Sequence, residues 1–207
     1  ILGGFVFSKR HTRMAHFAFF FVVFFLALWN LSLFGVAISA SATKVTLFGR
    51  FTFAASALTC TAYLFFTWLF PETYHPVPTR RTVLSIVIIG SIVVITSMTD
   101  LVQQAVDVGP DSKNPVFGPL HPLFMLYMLT MFSWSTLNLA RSRLRTPSGR
   151  ERLQITYTFT GFALAFVAAT IAHFIIPLFT RESGSWLLAG AGISSVLITG
   201  MTSYAIF

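Results

Sequence analysis

Residues 15–40 read AHFAFFFVVFFLALWNLSLFGVAISA, and no position among them carries Asp, Glu, Lys or Arg. A helix rises about 1.5 Å per residue, so this run is long enough to cross a hydrocarbon core of roughly 30 Å. Five further mostly apolar stretches of that length follow, at 46–70, 83–105, 120–139, 153–178 and 186–207. Each is bounded by charge, proline or glycine, where a helix can enter water. Hydrophobic residues make up 55% of the 207 positions and charged ones 10%, with a mean hydropathy of +0.77. A soluble domain of this length needs far more charge to cover its surface. The runs lack apolar/polar alternation and are about twice as long as a barrel strand. The expected fold class is therefore all-α, a polytopic membrane helix bundle. Residues 107–119, DVGPDSKNPVFGP, are expected to form turns and no folded lid.

The first seven residues, ILGGFVF, are apolar and stop at Ser8-Lys9-Arg10. They are expected to be the last turns of an earlier helix, and the final span ends apolar at Phe207. Residues 1–207 then form one transmembrane domain of seven helices, the first largely missing from the chain. A signal peptide fits poorly, because the basic residues follow the apolar run.

Ten of the 14 Lys and Arg residues fall on one side of these spans: Lys9, Arg10, Arg13, Arg80, Arg81, Arg141, Arg143, Arg145, Arg150 and Arg152. Lys44, Arg50, Lys113 and Arg181 fall on the other. The positive-inside rule makes the first side cytoplasmic, with Phe207 on that side too. The densest cluster, Arg141, Arg143, Arg145, Arg150 and Arg152, reads as a cytoplasmic anchor beside anionic head groups. The net charge of +8 is thus explained without nucleic acid as a partner.

Ionisable and polar side chains at membrane depth are costly, which makes each a candidate site. Asp100 and Gln104 are expected on one helical face at i,i+4 spacing. Arg50, His121 and His173 fall near the same outer level. These five form the candidate ligand-binding set, a shared outward pocket. The alternative is that each is an interface residue wetted by head groups and water. In the last span, Gly190, Gly192 and Gly200 are candidates for close helix packing. The neighbouring helix belongs to the same bundle, to a second copy in a homodimer, or to a partner membrane subunit. Phe17, Phe19, Phe20, Phe21, Phe24 and Phe25 crowd most of one helix circumference, as lipid contact demands. Cys60 is the one cysteine, so no intrachain disulfide forms.

Catalytic chemistry finds no motif. No GxSxG, HExxH or P-loop pattern occurs. No two histidines show ligand spacing on one helix, so neither metal nor haem is expected. A retinal Schiff base needs a lysine in the last span, which has none. No cofactor is expected, and the chain is not expected to be an enzyme.

Several local features carry a resemblance. Leu28-Trp29 lies midway along one span, and Phe70-Pro71 closes the next. Gly118, Leu120 and Tyr127 follow a polar outer loop. Residues 137–161, LNLARSRLRTPSGRERLQITYTFTG, join an arginine-rich turn to Arg152, Gln154 and a helical glycine, and Pro177 ends the next span. Together they resemble the seven-transmembrane N-terminal sensor region of bacterial histidine kinases, also found ahead of diguanylate cyclases. The resemblance implies a sensor in the bacterial cytoplasmic membrane. In it, a stimulus shifts helices, and the last helix passes the shift to a cytoplasmic module after Phe207. The other reading of the spans is a non-catalytic accessory subunit of a larger membrane complex.

Overall fold

A computed structural model describes residues 14–70, 78–109, 113–147, 149–171, 196 and 198–201. Its elements run α1 (Met14–Ile38), α2 (Ala42–Leu69), α3 (Arg80–Ser97), β1 (Gln103–Val108), β2 (Lys113–Phe117), α4 (His121–Arg145) and α5 (Arg150–Thr170). Helices α1 to α4 are long and apolar enough to cross a membrane. The expected remnant at 1–7, His173, Gly190, Gly192 and nearly all of the last span lie outside the described residues.

The distribution of apolar surface is that of a bundle in lipid. Helix α3 buries a narrow line, Ile86, Gly90 and Ser97. It leaves Leu84, Ile88, Ile92 and Ile95 from 50% to 66% exposed. A soluble monomer does not present such a continuous apolar face to water; in a bilayer the acyl chains solvate it. Helix α2 lies centrally, packing against α1, α3, α4 and β1. On one side its Ala62, Tyr63 and Phe66 join Phe19 and Val22 of α1, Leu139 of α4 and Phe162 of α5. On the other its Ala57, Leu64 and Trp68 join Ile86 of α3 and Phe124 and Met131 of α4. The phenylalanines of α1 divide between these environments. Phe19 is fully buried and its ring lies 5.7 Å from that of Phe66, whereas Phe17 and Phe24 are 46% and 45% exposed.

The helix boundaries follow local chemistry. The Thr79 hydroxyl accepts from the amide of Thr82, capping α3. Helix α4 continues beyond the apolar span, so Arg141, Arg143 and Arg145 are helical. Two of them, Arg143 and Arg145, occupy the last turn, where cations complement the negative helix end. Arg150 and Arg152 belong to the first turn of α5, with Glu151 as its acidic residue. Gly149 joins the two helices at φ 148°, a conformation open to glycine and costly for other residues.

One expected element is corrected. Residues 83–105 do not form a single helix: α3 ends at Ser97, and Gln103 onward is strand. The hydroxyls of Thr96 and Ser97 donate to the carbonyls of Ile92 and Val93 one turn back. The amides of Met98 and Thr99 then close short turns on Ile95 and Thr96. Such local bonding by Ser and Thr competes with helix propagation. Beyond it, β1 pairs antiparallel with β2, from Gln103 opposite Phe117 to Val108 opposite Lys113. The segment expected to hold only turns therefore supplies half of a hairpin.

Candidate functional site

The hairpin lies at one end of the bundle, against the close of α1 and the start of α2. Two cations bind it there. Lys113, on β2, donates through Nζ to the carbonyls of Val36 and Ala37, both at 2.7 Å, and of Ser39 at 2.8 Å. These carbonyls close α1, where backbone acceptors lack helical partners and the helix dipole is negative. Arg50, in the third turn of α2, reaches the opposite strand. Its Nε donates to the carbonyl of Gln103 at 3.1 Å and its Nη2 to the carbonyl of Gln104 at 3.0 Å. The same Nη2 pairs with the Asp100 carboxylate. Thr46, one turn before Arg50, accepts from the amide of Val106 at 3.1 Å.

Gly118 ties the far strand to the end of α3. Its amide donates to the carbonyl of Val102 at 2.9 Å, and the Leu120 amide donates to Leu101 at 2.8 Å. A Cβ on Gly118 would collide with the carbonyl oxygens of Asp100 and Leu101. The backbone approach therefore requires glycine. The hairpin thus connects the same end of α1, α2, α3 and α4.

Three of the candidate residues come together here, though not as a helical pair. Asp100 lies in the turn after α3 and Gln104 in β1, so their expected i,i+4 helical face does not exist. Arg50 joins them across the chain fold, and Gln104 takes part through its carbonyl. Asp100 is 77% exposed and Arg50 is 20% exposed. His121 belongs to an adjoining aromatic group. Its ring stacks on Phe117 at 3.9 Å and meets Phe53 edge-on at 5.6 Å. Its Nδ1 is buried without a hydrogen-bond partner. Phe53 follows Arg50 by one turn of α2, so the ion pair and the aromatic group share a helix.

Gln103 escaped notice as a site residue. It is 1% exposed, and its Oε1 has no hydrogen-bond partner among the described residues. A Cβ on Gly49 would lie 2.5 Å from that oxygen, so the side chain occupies the space this glycine leaves beside Arg50. Lys113 was legible only as a loop charge. The signal available for both was the β-branched and polar composition of 103–108 followed by Gly109-Pro110-Asp111, a strand-and-turn pattern. At Gly200, a Cβ would meet no atom of the described residues within 4 Å. Among the described residues, no group of three or more His, Cys, Asp or Glu could hold a metal ion.

A family model described as the N-terminal 7TM region of histidine kinase matches residues 1–207. No curated protein and no solved structure matches the chain.

Proposed function

The chain belongs to the family of N-terminal 7TM regions of histidine kinases, and from that premise we propose that it receives its stimulus at the hairpin end. It is a membrane sensor input domain. The observation that carries the location is the Arg50 cluster. One guanidinium joins α2 to the turn after α3 and to β1, so a change there alters the relation of two spanning helices. Intramembrane or near-membrane charges mark functional sites by default because they are costly to keep. The ligand-side residues are Arg50, Asp100, Gln104 and His121, with His173 as a fifth.

The arginine-rich end faces the cytoplasm, as the charge bias requires. Arg141, Arg143, Arg145, Arg150 and Arg152 anchor it there, and a signalling module after Phe207 receives the helix displacement. Packing of that last helix, within the bundle or against a second copy, uses Gly190, Gly192 and Gly200. The membrane is the bacterial cytoplasmic membrane. Any catalysis resides in the following module.

The test is basal autophosphorylation of the full-length kinase in native membranes. Arg50→Ala is expected to shift it by about tenfold, a coupling of about 1.4 kcal/mol, with membrane insertion unchanged. Basal activity equal to wild type in a correctly inserted protein would place the input elsewhere.

A further inference from the structure

We propose that Arg50 is a carboxylate-binding site which the protein fills with its own Asp100, and that an external hydroxy or amino carboxylate displaces that side chain. This rests on the hairpin end being the input side, and it adds the ligand class and the way the ligand acts.

The guanidinium is fixed independently of Asp100. Its Nε and Nη2 are held by the carbonyls of Gln103 and Gln104 at 3.1 and 3.0 Å. It is largely shielded, whereas Asp100 is 77% exposed. The cation is therefore pre-positioned, and its anion already stands mostly in water. Exchanging one carboxylate for another conserves charge and moves no proton. Surface pairs of this kind contribute little net stability, so the internal competitor is a weak one. The planar guanidinium fork suits the two oxygens of a carboxylate.

The second observation concerns Gln103. Its Oε1 is buried with no donor, although a buried acceptor without a partner is costly. That side chain lies against Gly49, next to Arg50 in the chain. A carboxylate carrying a neighbouring O–H or N–H supplies the missing donor once the Gln103 side chain turns from Gly49 toward the guanidinium. Displacing Asp100 removes the contact by which Arg50 holds the turn after α3, while the bonds of Arg50 to Gln103 and Gln104 keep β1 in place. Ligand binding then loosens that turn alone.

The probe is glycolate, titrated at constant ionic strength into the full-length protein in nanodiscs and followed by saturation-transfer NMR. Removing the competitor in Asp100→Asn is expected to tighten glycolate binding by about tenfold. Arg50→Gln and the charge-conserving Arg50→Lys are both expected to abolish it, the second guarding against misfolding of the first. In wild type, glycolate is expected to raise amide exchange at residues 98–101 and to leave β1 unchanged. Equal affinity in wild type and Asp100→Asn, retention in Arg50→Lys, or acetate or sulfate binding as tightly as glycolate would overturn the proposal. Kinase output enters none of these readouts. Glycolate bound at Arg50 without effect on autophosphorylation would remove the sensing role and leave the site standing.

Discussion

The two ends of the bundle carry the same cationic side chains and use them differently. At the hairpin end, Arg50 and Lys113 reach backbone carbonyls and close the structure on itself. At the other end, Arg80, Arg81, Arg141, Arg143 and Arg152 are exposed along helix termini. The difference lies in the acceptors. A helix C-terminus and a strand edge both present carbonyls without helical partners, and the hairpin brings both within reach of a cation. The arginine-rich end joins α4 to α5 through a short turn at Gly149, and these five arginines stand exposed. Cationic side chains thus fix the structure internally at one end and stand exposed at the other.

The largest expected effect is at Gly118. Gly118→Ala drives a methyl into the carbonyls of Asp100 and Leu101, and it should cost about 3 kcal/mol by overpacking. Equilibrium unfolding in mixed micelles measures this. A loss below about 1 kcal/mol would mean that the hairpin contributes less than the upper range of such clashes.

Next comes Lys113→Met, which keeps the aliphatic stem and removes three charge-assisted bonds. The expected loss is about 2 kcal/mol, combining bonds to a charged donor with the helix-end dipole. Faster amide exchange should be confined to residues 36–39 and 113–117. Unchanged exchange at 36–39 would show that the α1 terminus does not depend on this cap.

The smallest effect belongs to the opposite end. Arg143→Gln with Arg152→Gln should change unfolding free energy by less than about 0.5 kcal/mol, as expected of exposed substitutions. Binding of the reconstituted protein to anionic lipid, read by lipid-selective spin labels, should fall instead. A stability loss matching that of Lys113→Met would erase the contrast between the two ends.

Much of the membrane architecture was legible before any coordinates. Residues 15–40, 46–70 and 120–139 are spans by length and apolarity alone, and α1, α2 and α4 occupy them. The span 83–105 differs because length and apolarity do not register that the helix stops before the polar residues Thr99, Asp100, Gln103 and Gln104. Val102 and Val106 are as apolar as Ile92, yet they serve a hairpin. At the end of α3 the amides of Met98 and Thr99 close short turns on Ile95 and Thr96, and the Thr96 and Ser97 hydroxyls bond one turn back. Arg50, Asp100 and Gln104 were identifiable as costly polar residues near one level. Their actual connection depends on backbone carbonyls, which no residue identity reveals.

Composition by itself determined that the chain lives in a bilayer and where three of its spans lie, because a helix of some 20 apolar residues is favoured across the hydrocarbon core. Only the tertiary structure decided that residues 103–117 form a hairpin, that Lys113 closes α1, and that Arg50 takes Asp100 as its partner. Those contacts join positions about 50 to 77 residues apart, and their energy comes from geometry that exists only once the helices have packed.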